Sequence, residues 1–138
     1  MADTIRRVDY FYIEVPDRPG VGADVLAHLR EAGVNLIALT GFPRGRRAQI
    51  DFVPEDAKAF RDAARKARWK VTGPRKGFLA QGEDRPGAIA DILRALADAK
   101  INVTAIDAVC AGAGRYGAIF WVPPRDVSRA ARVLGAAS

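Results

Sequence analysis

The chain has 138 residues, a formal net charge of +6 at pH 7, one cysteine and one histidine. This length suits one ordinary domain or two very small ones, and very small domains must pack together or dimerise to bury enough surface. A single cysteine excludes an internal disulfide, and with a single histidine it leaves no zinc-binding set and no Cys/His nucleophilic pair with a third partner. Since no apolar run suits a signal peptide or a membrane span, we expect a cytoplasmic protein. From its small repeats and its single cysteine and histidine, we also expect a homo-oligomer without a metal or cofactor.

The first part of the chain predicts a strand, a helix and a second strand. Apolar residues alternate over residues 8–15, which predicts a strand with one buried face. Apolar residues recur at three- and four-residue spacing over residues 19–32, which predicts a helix that ends at Gly33. The apolar, branched run over residues 34–42 predicts the next strand.

A hairpin and a second helix follow. Glycine and proline at positions 41–45 precede an alternating run over residues 48–53, which predicts the hairpin. The second helix opens at residues 54–56. Its predicted apolar face consists of Ala57, Phe60, Ala64 and Ala67. Residues 69–72 are predicted as a short fourth strand, so the unit reads β, α, β, β, α, β.

The second half of the chain repeats this order after a predicted hinge at residues 74–77. The predicted strands cover residues 78–81, 101–110 and 116–122, and the predicted helices cover residues 86–99 and 125–134. Few residues follow the last helix, so the second copy is expected to lack most of its last strand. That expectation leaves one sheet edge to be covered.

An internal repeat supports the duplication. The tetrapeptide at Asp17–Gly20 returns unchanged at Asp84–Gly87, which is 84 − 17 = 67 residues later. The same shift superposes further identical residues, among them the pairs Ala23/Ala90, Asp24/Asp91, Leu26/Leu93, Leu29/Leu96 and Asn35/Asn102. Because a fixed period of this kind indicates repeated structural units, we predict two domains, residues 1–73 and 78–138.

The order of elements predicts an α+β fold class with two ferredoxin-like βαββαβ repeats. Each repeat is expected to form an antiparallel sheet with both helices on one face. The other face then lacks helical cover, and aromatic strand residues are predicted to line it. The candidates are Tyr10 and Tyr12 in the first repeat and Phe120 or Trp121 in the second.

Each copy of the tetrapeptide lies between a predicted strand and a predicted helix. The first backbone N–H groups of a helix have no intrahelical acceptor, so a carboxylate that approaches them can accept several hydrogen bonds. Pro19 and Pro86 are predicted at the first helical position, and Asp17 and Asp84 are predicted to bond the loop or cap the helix. The alternative is that the motif only starts a helix.

An asparagine follows each motif aspartate by 35 − 17 = 18 residues. Asn35 and Asn102 lie at the predicted turn from the first helix to the second strand. Each amide can offer a donor and an acceptor to a zwitterionic ligand, or can satisfy the backbone of the turn.

Together these features resemble the ACT domain, a small-molecule-binding regulatory module. The resemblance rests on the strand Tyr12–Val15, the Asp-Arg-Pro-Gly loop, the leucine-containing helix and the asparagine at the second strand, and it covers about residues 8–72 and 78–134. It implies tandem modules paired into larger sheets, with an amino acid or related ligand held where the first loop of one module meets the second strand of another. The implied ligand-binding residues are Asp17, Arg18, Pro19, Gly20, Val21, Gly22 and Asn35, and Asp84, Arg85, Pro86, Gly87, Ala88, Ile89 and Asn102.

The two loops differ just after the tetrapeptide. Gly22 of the first repeat corresponds to Ile89 of the second. The larger side chain narrows or closes one pocket, so we predict unequal affinities for the two sites.

The leading hypothesis is a non-catalytic regulatory protein. It binds a small molecule, an amino acid, at module interfaces and acts through a homodimer or through a partner such as a regulated enzyme or a regulator. An enzyme would need a general base, for which Asp17 and His28 are the available residues, but no acid–base pair recurs in the two repeats. We therefore predict no catalytic residue.

Nucleic-acid binding is the alternative. Between Arg44 and Lys76 the chain has eleven Lys and Arg residues against four Asp and Glu residues, and ferredoxin-like sheets with exposed aromatic residues can stack bases. A solvated helix face explains the same charges, and the aromatic spacing does not match an RNA-recognition signature.

Overall fold

The structure is a computed structural model, and it describes residues 3–137. The elements, in chain order, are β1 (Thr4–Pro16), α1 (Val21–Glu31), β2 (Leu36–Arg44), β3 (Arg47–Pro54), α2 (Ala57–Lys66), β4 (Thr72–Glu83), α3 (Ala88–Asp98), β5 (Ala105–Gly112), β6 (Arg115–Trp121) and α4 (Val127–Leu134). A short 3-10 helix, Pro124–Asp126, precedes α4. This order confirms the predicted α+β class with two βαββαβ repeats.

The chain divides into two compact units. The first unit is Asp9–Arg75, and the second unit joins the residues before Asp9 to those after Arg75. Strands β1 and β4 therefore contribute residues to both units. The predicted domain bounds, 1–73 and 78–138, describe the repeats of the sequence and stay a prediction.

The first unit has a three-strand antiparallel arrangement in the order β2-β3-β1. Phe11 on β1 lies opposite Phe52 on β3. Both are fully buried and contact Phe60 of α2, with ring centroids 4.9 and 5.1 Å apart. Aromatic burial of this kind is a large part of what fixes a small core, so α2 is held to the sheet mainly through Phe60.

The second unit repeats this arrangement with β4-β6-β5. Phe78 lies opposite Phe120, and their rings stack at 5.3 Å between centroids. Leu96 of α3 and Ala130 of α4 close the core over them. Phe120 therefore lies on the helix side of the sheet, so its predicted place on the helix-free face is wrong. The alternative candidate, Trp121, is the next residue of the strand, and successive side chains of a strand point to opposite faces.

The segment predicted as a hinge, residues 74–77, lies inside β4. The glycines in and just before this segment serve close packing: a Cβ added at Gly73 would lie 2.8 Å from the Tyr10 carbonyl oxygen, and one at Gly77 would lie 3.1 Å from Nε1 of Trp121. Glycine and proline predicted a break because their usual role in linkers is flexibility, whereas here the glycines let neighbouring atoms approach.

The N-terminal strand begins earlier than residue 8, at Thr4, and it supplies the edge that the second repeat lacks. Within residues 3–137 no strand of several residues follows α4, as the sequence predicted. Ala137 instead pairs with β1, since Arg7 N–H donates to the Ala137 carbonyl at 2.8 Å and Ala137 N–H donates to the Ile5 carbonyl at 3.0 Å. The second unit is thus completed by residues from the opposite terminus of the chain.

None of the helices described for residues 3–137 combines the length and apolarity needed to cross a membrane.

Candidate functional site

The tetrapeptide loops end in glycines that adopt left-handed backbone conformations. Gly20 has a φ of 91° and Gly87 a φ of 76°, and α1 and α3 begin at the next residue. Pro19 and Pro86 therefore precede the cap, so their predicted place at the first helical position is wrong. L-residues rarely adopt this φ, so each glycine turns the chain sharply just before its helix.

Neither loop aspartate caps its helix. No side chain forms a capping hydrogen bond at the start of α1 or α3, which rules out the cap predicted for Asp17 and Asp84. By contrast, the Asp56 carboxylate accepts from the N–H groups of Lys58 and Ala59 at the start of α2. Asp17 and Asp84 are both exposed, and neither is used as a cap.

A cleft of about 380 Å³, the first groove, opens beside the first loop. Asp17 and Gly22 line the side formed by the loop and α1. The rest of the lining comes from α1 and the β2–β3 hairpin: Leu26, Leu39, Gly41, Phe42, Pro43, Ala48, Gln49 and Ile50. The first groove is therefore mainly apolar, with a carboxylate at its loop end.

Open backbone donors lie at the same end. Val21 N–H donates to the Arg18 carbonyl and Asp24 N–H donates to the Gly20 carbonyl, but the backbone N–H groups of Gly22 and Ala23 have no backbone acceptor in the described chain. A Cβ added at Gly22 would meet no atom within 4 Å. The helix start is thus sterically accessible and carries donors that favour an anion.

The second groove, about 310 Å³, lies at the equivalent place in the second unit. Asp84, Arg85, Gly87, Ala88, Ile89 and Ala90 line it from the loop and α3, and Ala108, Val109, Cys110 and Tyr116 line it from β5 and β6. The Cys110 thiol is exposed, and its hydrogen bond with the Asp84 carboxylate raises the pKa of the thiol. The second groove is the smaller of the two and has more polar lining than the first.

An N-terminal residue holds the second loop. Both carboxylate oxygens of Asp3 accept from the Arg85 guanidinium at 3.2 Å, and Arg85 also donates to the Glu83 carbonyl at 3.1 Å. The Arg85 hydrogen bond lowers the pKa of Asp3, whereas burial, together with the Asp3 carboxylate, raises the pKa of Tyr116 to about 12. Asp3 fits there because residue 82 is glycine, whose missing side chain leaves room for the carboxylate.

The predicted asparagines lie away from their own loops. Asn35 precedes β2 and donates to the Glu55 carboxylate at 3.3 Å. The adjacent Leu36 is opposite Pro54 at one end of β3, whereas Pro16 beside the loop is opposite Arg47 at the other end. Asn102 precedes β5 in the same way. Neither unit brings its own asparagine to its own loop, and a meeting between different modules stays a prediction.

The basic segment from Arg44 to Lys76 is spread over the β2–β3 hairpin, α2 and β4. Several of its cations have partners within the protein. Lys58 and Arg65 both pair with Asp62, at 3.0 and 3.1 Å, and the Arg75 guanidinium lies 5.4 Å from the centre of the Tyr12 ring. The nucleic-acid alternative stays a prediction, which salt-dependent retention on single-stranded nucleic acid tests.

Other titratable residues form no centre in the described chain. Residues 3–137 contain no group of three or more His, Cys, Asp or Glu residues that could hold a metal ion. His28 Nε2 lies 2.8 Å from the Ala63 carbonyl oxygen, and the His28 ring meets Trp69 edge-on at 5.2 Å. These contacts give His28 a packing role between α1 and α2.

Comparison with known proteins supports the fold. Residues 78–137 match the family model of the ACT domain. A search of curated protein sequences gives no match. Among solved structures, the chain is similar to a protein from Bacteroides thetaiotaomicron at 16% identity, with 96% of this chain and 88% of that chain covered and a TM-score of 0.79.

Structures of aspartate kinases show the same likeness. The regulatory subunit of aspartate kinase from Thermus thermophilus, in its ligand-free form, is 21% identical over 98% of this chain and 95% of that chain, with a TM-score of 0.67. Aspartokinase III from E. coli, in complex with aspartate and ADP, is 16% identical over 96% of this chain and 32% of that chain, with a TM-score of 0.56. At these identities the likeness establishes the fold. Residues 78–137 thus match the ACT domain family, and the first repeat is built from the same elements in the same order.

Proposed function

We propose that this chain is a regulatory module that binds an amino acid in its loop grooves and acts through a homodimer or a partner protein. The arrangement of the first groove carries the proposal. A carboxylate and open backbone N–H groups lie together at one end of an apolar cleft. An α-amino acid presents a carboxylate and an ammonium group at one end, so its charges complement both features.

The two charged groups of the ligand have separate partners. The ligand carboxylate accepts hydrogen bonds from the N–H groups of Gly22 and Ala23, where the helix dipole favours an anion. The ammonium group pairs with the carboxylate of Asp17, which lines the first groove. These contacts use the part common to all α-amino acids, and the side chain then lies along the apolar wall.

A second copy of the chain completes the site. Asn35 lies far from its own loop, because the 11 residues of α1 span about 16 Å. Strands β2 and β5 are the outer strands of their units. Exposed strand edges are natural surfaces for pairing with another chain, and a dimer formed in this way brings an asparagine of one copy to the loop of another.

The partner that reads the dimer is an enzyme in this proposal. The likeness to a regulatory subunit of aspartate kinase supports that choice. The ligand shifts the geometry of the dimer only as far as it binds one geometry better than the other. A site shared between two copies provides such a difference, because its contacts depend on how the copies are arranged.

Thermal unfolding with each of the twenty amino acids at millimolar concentration tests the proposal. An amino acid at a hundred times its dissociation constant should add about 2.7 kcal/mol to the free energy of unfolding. Asp17→Asn should weaken this effect, because the ammonium group loses its charged partner. Asp24→Asn is the matched control, since Asp24 is exposed in the first turn of α1 but does not line the first groove. If no amino acid stabilises the wild-type protein, the proposal is wrong.

A further inference from the structure

We propose that the first groove selects amino acids with apolar side chains, aliphatic or aromatic. This inference rests on the proposed function and adds the class of ligand to it. It follows from the composition of the groove wall, from the commitments of the polar groups in that wall, and from the difference between the two grooves.

Large apolar side chains that remain exposed converge on the first groove. The described chain has five exposed large hydrophobic residues, and three of them line this groove: Leu26 at 37% exposure, Leu39 at 45% and Phe42 at 41%. Ile50, which is buried, lines the same groove. Exposure of apolar surface to water is unfavourable, so an apolar ligand side chain that covers these residues gains binding free energy.

The polar groups of the wall have little to offer a polar ligand side chain. Gln49 is 7% exposed and is already committed, since its Nε2 donates to Asp51 at 2.8 Å and its Oε1 accepts from Arg44. Asp17 is the other polar side chain in the lining, and the ligand ammonium group occupies it. Among residues 3–137, no cationic side chain lines the first groove. A charged or amide side chain therefore loses water there without gaining a partner, which is costly.

The second groove provides the internal contrast. Ile89 stands where the first groove has Gly22, and Arg85 and Tyr116 replace part of the apolar wall. Its volume is about 310 Å³ against about 380 Å³ for the first. The space beside Gly22 is open, and its backbone is not in the positive-φ region. Substitution of Gly22 is therefore compatible with the fold and fills the groove from its own helix.

Calorimetric titration of the full chain with leucine, phenylalanine, threonine, lysine and aspartate tests the inference. Leucine or phenylalanine should bind at least about tenfold more tightly than the other three, because their side chains cover more of the apolar wall without losing a hydrogen-bonded water shell. Gly22→Ile should abolish the tight leucine binding of the first groove and leave at most the weaker binding of the second. Asp24→Ile is the control, because it adds the same side chain at an exposed position of α1 that does not line the groove. Leu39→Asp, at an exposed position of the wall, should weaken leucine at least about tenfold.

The outcomes separate this inference from the proposed function. Tighter binding of lysine, threonine or aspartate than of leucine and phenylalanine would overturn the apolar class and leave amino-acid binding intact. Absence of binding by every amino acid would overturn both. Leucine binding of unchanged affinity in Gly22→Ile would place the ligand elsewhere and contradict the inference. A second copy of the chain could instead fill the first groove in place of an amino acid. In that case the wild-type protein will bind no leucine, and Gly22→Ile will convert the dimer to a monomer on size-exclusion chromatography. That outcome also counts against the inference.

Discussion

The two Asp-Arg-Pro-Gly loops differ in how their arginine is held. Arg85 is held by both carboxylate oxygens of Asp3 at 3.2 Å, whereas Arg18 forms no ion pair with any residue in the described range. A bidentate pair fixes the plane of a guanidinium group as well as its position. The second loop is therefore braced by the N-terminal segment, whereas the Arg18 side chain of the first loop is exposed and does not line the first groove.

The sequence predicted a ligand loop at both copies of the tetrapeptide but could not predict this difference. Asp3 and Arg85 are separated by 82 residues, and no local pattern connects them. The contact depends on the N-terminal residues joining the second unit and on the small size of Gly82, both of which are tertiary features. The exchange of Gly22 for Ile89 was readable from the repeat because it needs only the alignment of the two copies.

Two carboxylates predict opposite effects of pH on stability. The Arg85 hydrogen bond lowers the pKa of Asp3 from its usual 3.8, so the stability that Asp3 contributes is present above pH 3.8 and is lost as the pH falls through the lowered value. Burial raises the pKa of Asp51, although the Gln49 hydrogen bond and the charges of Arg44 and Arg75 oppose it. Ionised Asp51 therefore lowers stability at pH values above its raised pKa.

We expect Asp3→Asn to lower the free energy of unfolding at neutral pH, with a difference from wild type that shrinks in acid. Asp51→Asn should raise it at neutral pH, because the amide carries no charge to desolvate and its oxygen can still accept from Gln49. That gain should vanish below pH 3.8, the usual carboxyl value. Urea titrations at about pH 3, 5 and 7 measure both differences. Parallel pH profiles for the two variants would show that the assigned causes are wrong.

At the scale of elements, local patterns predicted the order of strands and helices because burial repeats at the period of each element. They predicted the ends of elements less well. Residues 74–77 contain the glycine and proline of a linker but lie in β4, since the close approach of Tyr10 and Trp121 that requires these glycines is visible only in the folded chain. In the same way, α1 begins after Pro19 because Gly20 adopts a left-handed conformation.

The packing role of Gly73 predicts a graded response to alanine. Gly33→Ala should cost about 1 kcal/mol, because φ is 73° but a Cβ meets nothing within 4 Å. Gly73→Ala should cost at least about 2 kcal/mol, because φ is 128° and the added Cβ would lie 2.8 Å from the backbone oxygen of Tyr10. Chemical denaturation of the two variants measures the difference. Equal losses would mean that the strand spacing at Gly73 relaxes and that the contact is not required.

At the scale of the whole molecule, the second unit is built from residues near both ends of the chain. Residues before Asp9 belong to the second unit, and Ala137 pairs with the N-terminal strand there. The repeat itself was readable from the sequence, since a period of 67 residues recurs in motif and in apolar spacing. The pairing of the two chain ends was not, because it joins residues near opposite termini that share no sequence pattern.

In the proposed function, an amino acid binds between the start of α1 and the hairpin wall of the first groove. A nitrogen–proton NMR titration of the full chain with leucine tests this binding site, because it measures the chemical shift of each backbone amide. We expect the largest shifts at Gly22, Ala23 and Leu39, with smaller shifts at Ile89 and Ala90 of the second groove. Unchanged amides at Gly22 and Ala23 at saturating leucine, or shifts confined to other parts of the chain, would contradict this expectation.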